Sequence, residues 1–76
     1  MDPKQITLEV IAKISGAEIA TLGPEQDLVA DLGIDSPRAL QLLIELEDAL
    51  GREISDDDAA KMDTVGDILE FVGKPA

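Results

Sequence analysis

The stretch Asp31-Leu32-Gly33-Ile34-Asp35-Ser36 decides how this chain is read, because it ends a polar connection and opens an amphipathic run. A helix is expected to begin at Asp35 or Ser36, accept Pro37 in its first turn, where a backbone N–H has no partner anyway, and stop at Gly51. This delivers Ser36 to an exposed helix end that carries unpaired N–H groups and a partial positive charge. A phosphate attached to the Ser36 hydroxyl would be electrostatically tolerated there. A serine before a proline at a helix start is by default a capping residue, so the context has to decide between a cap and an attachment point.

Residues 36–50 on a helical wheel of about 100° per residue place Ala39, Leu42, Leu43, Leu46, Ala49 and Leu50 on one arc, wide enough to be the core face. Leu40 and Ile44 fall outside it, beside Ser36 and Pro37, whereas Arg38, Gln41, Glu45 and Asp48 occupy the far side. Two readings of Leu40 and Ile44 stand at this point: neighbouring helices cover them, or they form a docking strip with an apolar centre and a polar rim. Glu45, Glu47 and Asp48 are individually ordinary solvated acids and together a plausible steering field.

Outward from this helix, Asp2, Pro3 and Gln5 have the order of an N-cap, a first-position proline and a capping partner. Ile6, Val10, Ile11 and Ile14 then recur at helical spacing up to Gly16. From Gly16 to Asp35 the punctuation is that of a loop, with Gly23-Pro24 as a turn signal and Leu22, Leu28, Leu32 and Ile34 as anchors onto the core. A loop of this length tends to be functional or to hide a short helical turn. Ser55 before Asp56, Asp57 and Asp58 caps and charges a short third helix to about Lys61. Thr64 with Asp67 repeats the device for a fourth helix through Val72, closed by Gly73 and followed by Pro75, although Gly66 weakens its start. No run alternates at period two, so the expected fold is all-α: a small four-helix bundle with three longer helices, one short third helix and a long loop between the first two.

Composition narrows the function. The 76 residues make one domain, residues 1–76, too short for a second lobe or a deep enzyme cleft. Cys, His, Trp and Tyr are absent, which removes disulfides, thiolate nucleophiles, imidazole bases and thiolate or imidazole metal ligands. No catalytic and no metal-ligating residue is assigned, and the chain is read as a non-enzyme. A net charge of −11 repels nucleic acid and anionic lipid, so the expected partners are basic proteins. With no signal-peptide pattern at the start and no apolar run of about 20 residues, the chain is expected to be a cytoplasmic monomer without membrane insertion.

The run from Asp31 to Ser36, leading into Leu40, Leu43, Leu46, Glu47 and Leu50 and then Glu53-Ile54, closely resembles the acyl carrier protein family. The resemblance extends over nearly the whole chain, through the short acidic third helix to a last helix containing Val65, Ile68, Leu69, Phe71 and Val72. It implies a four-helix bundle whose Ser36 hydroxyl receives 4′-phosphopantetheine from coenzyme A, installed by a separate Mg²⁺-dependent phosphopantetheinyl transferase. The arm's thiol would hold acyl intermediates as thioesters for acyl-transferring, ligating or condensing enzymes with basic docking patches. By the same resemblance Asp35, Pro37, Arg38, Leu40, Gln41, Ile44, Glu45, Glu47 and Asp48 form the partner-binding face. Leu46, Ile54, Ala59, Met62 and Ile68 match an acyl pocket, with ordinary core packing as the alternative for those five.

The sequence departs from the family pattern beside Ser36. Pro37 stands where an apolar residue such as leucine is usual, and Arg38 and Gln41 stand where carriers of the general fatty-acid pathway often show acids. These changes remove negative charge and stiffen the first turn, which points to a specialised fatty-acid, lipid or polyketide pathway. An aminoacyl or peptidyl carrier and an unmodified acidic helical adaptor remain open alternatives.

Overall fold

The computed structural model describes residues 2–73; Pro75, read above as a stop signal, lies outside the described residues. Four α-helices follow in chain order: α1, Pro3–Ser15; α2, Ser36–Leu50; α3, Asp56–Ala60; and α4, Val65–Gly73. Among the described residues there is no strand, only one isolated antiparallel bridge between Asp27 and Thr64. The all-helical bundle expected from the periodicity is the fold.

Each helix starts on the cap its sequence advertises. The Asp2 carboxylate accepts from the Lys4 N–H at 3.0 Å, with Pro3 in the first turn. Ser55 Oγ accepts from the Asp58 N–H at 3.1 Å, and the three aspartates Asp56, Asp57 and Asp58 fill the electropositive first turn of α3. At α4 the cap is reciprocal: Thr64 Oγ1 accepts from the Asp67 N–H at 3.1 Å while Asp67 Oδ2 accepts from the Thr64 and Asp63 N–H groups at 3.1 and 3.0 Å. These two amides, Asp63 first and then Thr64, hold the Asp67 carboxyl below its usual value.

α1 packs against both α2 and α4. The core joins Ile11 of α1, Leu42 and Leu46 of α2, and Val65, Ile68 and Val72 of α4 to Leu28 and Ile34 of the connection between α1 and α2. Two details correct the wheel. Ala49, placed on the core arc, is exposed, because the arc is narrower at that edge, where α1 leaves a groove. Thr7 is fully buried, a position that apolar periodicity passes over; its hydroxyl donates to the Pro3 carbonyl at 2.8 Å, which removes the cost of burying it.

The connection of residues 16–35 is ordered by its own hydrogen bonds. It contains the short helical element expected of so long a loop, a 3₁₀ turn at Ile19–Thr21. After it, Asp27 Oδ1 accepts from the Val29 and Ala30 N–H groups at 2.9 and 2.8 Å, and Asp31 Oδ2 accepts from the Asp27 N–H at 2.6 Å, closing a compact turn. Gly33, at φ 67°, ends that turn in the left-handed region that a side chain disfavours. Ile34 then enters the core and its N–H donates to the Leu28 carbonyl at 2.9 Å.

Backbone hydrogen bonds fasten the connection to the start of α4. Leu28 N–H donates to the Asp63 carbonyl at 2.9 Å, Val65 N–H to the Gln26 carbonyl at 3.0 Å and Gly66 N–H to the Pro24 carbonyl at 2.9 Å. Helix amides that would otherwise lack partners are thus satisfied by the loop. Gly66, which weakens a helix by propensity, is the residue that allows this approach, since a Cβ there would stand 2.8 Å from the Pro24 oxygen.

Gly66→Ala should therefore invert the usual helix preference. In an open helix the change gains about 1 kcal/mol. Here urea unfolding should show a loss of about 1–3 kcal/mol, because the loop must move. A second outcome concerns pH. The folded-state value of Asp67 lies below the unfolded value of about 3.9, so its stabilising contribution is present above pH 4 and lost as pH falls through the lower folded value. Asp67→Asn should remove that part of the acid-induced loss of melting temperature; an unchanged acid limb would contradict it.

Candidate functional site at the head of helix two

Ser36 is the first residue of α2 and is exposed. The residue that caps the helix is Asp35, in extended conformation at φ −80° and ψ 179°, whose Oδ1 accepts from the Arg38 N–H at 3.2 Å. The default reading of the serine as a cap is thereby displaced by its neighbour. With Asp35 performing the capping, the Ser36 hydroxyl is left at the surface without a hydrogen bond to any described residue. Pro37 contributes no N–H, so few amides converge on this end, and the helix dipole supplies its positive character.

Below Ser36, Leu40 and Ile44 are 61% and 55% exposed, so neighbouring helices do not cover them. Pro37, Arg38, Gln41 and Asp48 are exposed around them. Two acids of the expected steering field have structural partners as well. Glu45 Oε1 meets Lys13 Nζ at 2.7 Å and ties α2 to α1, while Glu47 Oε2 accepts from the Ile54 N–H at 2.8 Å and secures the turn into α3.

The five residues matched to an acyl pocket are distributed between the core and its margin. Leu46 and Ile68 are buried in the core, and Ile54, Ala59 and Met62 are half-buried. Ile54 lines an open groove of about 700 Å³ with Ile44, Glu47, Asp48 and Arg52. Met62 lines another of about 250 Å³ with Lys61, Asp67 and Phe71. Asp58 of α3 borders both.

Two features escaped the sequence reading. Val29 is 67% exposed in the turn that Gly33 closes, and no periodicity marks an apolar residue in a turn. Arg52 stacks its guanidinium 4.6 Å from the centre of the Phe71 ring, joining the α2–α3 turn to α4 across nineteen positions of sequence, a pairing visible only in space. No helix among the described residues is long and apolar enough to cross a membrane.

An exposed, uncapped serine at the head of an acidic four-helix bundle is the arrangement of a carrier domain, and comparison with known proteins gives the class its name. The family model for the phosphopantetheine attachment site matches residues 5–72. The acyl carrier protein of Desulforapulum autotrophicum is 42% identical over 65 residues, covering 86% of this chain and 84% of that one. The meromycolate extension acyl carrier protein of Mycobacterium leprae is 36% identical over 66 residues, 87% of this chain and 57% of that one. Among solved structures, an acyl carrier protein of Mycobacterium tuberculosis superimposes with a TM-score of 0.86 at 35% identity, covering 95% of this chain and 96% of that one. The acyl carrier protein of Enterococcus faecalis gives 0.75 at 32% identity, covering 95% of each.

The chain belongs to the acyl carrier protein family. The cofactor of this family is 4′-phosphopantetheine, and its members carry intermediates rather than transform them.

Proposed function

We propose that Ser36 is the attachment residue and that this protein shuttles acyl or related intermediates within a dedicated pathway of lipid, fatty-acid or polyketide synthesis, in the cytoplasm. The observation that carries the assignment is the division of labour at the head of α2: Asp35 caps the helix, so Ser36 presents a free hydroxyl. In the modification that hydroxyl oxygen bonds to the phosphorus of coenzyme A nearest the pantetheine, the nucleotide half leaves with the broken P–O bond, and the hydroxyl proton passes to solvent. The arm supplies a thiol that holds cargo as a thioester, chemistry that a chain without cysteine lacks.

The remaining roles belong to the chain's own residues. The positive end of the α2 dipole sits close to the phosphodiester's negative charge. Leu40 and Ile44 offer partner enzymes an apolar contact next to the arm, and Asp35 and Asp48 with the overall charge steer basic patches toward it. Holding the cargo on a tether makes each encounter at a docked enzyme intramolecular. The exposed Pro37, Arg38 and Gln41 support a dedicated pathway, as they lower the acid density next to Ser36. The resemblance to meromycolate extension carriers accords with a lipid product.

Incubation with coenzyme A and a broad-specificity phosphopantetheinyl transferase should raise the intact mass by one phosphopantetheinyl group in the native chain and not in Ser36→Ala. No gain with several transferases would favour the unmodified adaptor. Loading and elongation by general fatty-acid synthase enzymes should be at least about tenfold less efficient than for a general carrier, the scale of one lost charge contact in a docking face. Pro37→Leu with Arg38→Glu should recover part of that difference, and equal efficiency in the native chain would exclude the dedicated pathway.

A further inference from the structure

The turn that leaves α2 carries an arginine whose side chain spans to another helix. Gly51, at φ 66°, ends α2 in the left-handed region, and its N–H and that of Arg52 both donate to the Glu47 carbonyl, at 2.9 and 3.3 Å. From this turn the Arg52 guanidinium reaches α4 and lies 4.6 Å from the centre of the Phe71 ring. Arg52 also lines the open groove of about 700 Å³ that holds Ile44 and Ile54, Phe71 lines the groove of about 250 Å³ that holds Met62, and Asp58 borders both. The cation over the ring therefore stands where the two grooves meet.

An apolar path leads from Ser36 to this junction. Ser36, Leu40 and Ile44 recur every four residues on α2, so they share one face, and Leu40 and Ile44 are exposed. Ile44 belongs both to the strip beside the serine and to the wall of the larger groove, where the half-buried Ile54 continues it. The apolar surface on the far side of the junction is that of Phe71 and Met62, and Arg52 lies over the Phe71 ring.

We infer that Arg52 is a length gate for the carrier's cargo: a short acyl chain on the arm of Ser36 rests against Leu40, Ile44 and Ile54, and a longer one reaches Phe71 and Met62 only by displacing the guanidinium from the ring. A cation over an aromatic face is a modest contact, comparable to the burial of about one to three methylenes. The gate therefore yields to a chain long enough to cover the ring and holds against one that ends beside it, so entry into the second groove rises in a step as carbons are added. The favoured cargo is a short or medium apolar acyl group. The inference rests on Ser36 bearing the arm, and the chain lies along this path between encounters, when no enzyme covers Leu40 and Ile44.

The test loads the full chain with acyl groups from butanoyl to hexadecanoyl, using the matching acyl-coenzyme A and a broad-specificity transferase, verifies each by intact mass, and reads NMR contacts of the acyl terminal methyl. In the native chain the shorter groups should contact Ile44 and Ile54 alone, and contacts to Phe71 and Met62 should begin abruptly at a longer one. Arg52→Gln, and independently Phe71→Leu, which keeps an apolar wall without a ring face, should bring that onset to a chain about two carbons shorter and raise the fraction of mid-length chains touching Met62 about tenfold, the scale of one such contact. Lys4→Gln removes the same charge from an exposed site on α1 and should leave the onset where it is. An onset that fails to move in either variant, an equal move in Lys4→Gln, or loaded cargo that touches neither groove would overturn the gate while leaving Ser36 as the attachment residue. No gain of intact mass in any chain would withdraw the attachment and the gate together.

Discussion

The bundle depends on how its long connection is held. Twenty residues between α1 and α2 would wander without an anchor, and an unanchored loop would leave α2 free to slide or tilt. Three backbone hydrogen bonds from Leu28, Val65 and Gly66 to the carbonyls of Asp63, Gln26 and Pro24 prevent this. They serve two needs at once, since the amides at the start of a helix require acceptors and loop carbonyls require donors. Burial of Leu28 and Ile34 seals the same junction from the apolar side. The head of α2 is positioned from this anchor, through the capped turn of Asp27 and Asp31 and the left-handed Gly33.

This arrangement explains why a residue as common as serine can become distinctive. Ser36 is exposed and has no hydrogen-bond partner among the described residues; it has a location. Asp35 takes the capping role, Pro37 sets the first turn, and the hydroxyl of Ser36 stays exposed. A carrier has no need of a cleft, because its partners bring the chemistry. The small core, the absent catalytic side chains and the strongly acidic surface fit that economy.

The acids show how one residue type is divided among different tasks. Asp2, Asp35 and Asp67 terminate helices, and Asp27 and Asp31 close a turn. Glu45 and Glu47 tie α2 to α1 and to the turn before α3. Asp48, Asp56 and Asp57 are exposed. A surface reading that assigns every acid to partner steering merges these roles. A charge that holds a turn still contributes to the long-range field, so structure and steering are compatible.

Helix boundaries, caps and the all-α class were legible because they rest on local chemistry: a capping side chain reaches two or three residues, and helical periodicity is written within a few turns. The location of Ser36 at the head of α2 belongs to that local set, as does the family resemblance carried by the residues around it. What lies between elements was not local. Gly66 looks like a weakness until Pro24 approaches it, Ala49 looks like core until α1 is seen to stand off from it, and of the apolar positions matched to one pocket Leu46 and Ile68 are core while Ile54 and Met62 line separate grooves. Residues far apart in the chain meet through packing and backbone hydrogen bonds that no short pattern encodes. The sequence alone therefore determined the helices, the acidic character and the serine. Only the tertiary structure decided which faces are covered, because coverage depends on the distance and angle between helices.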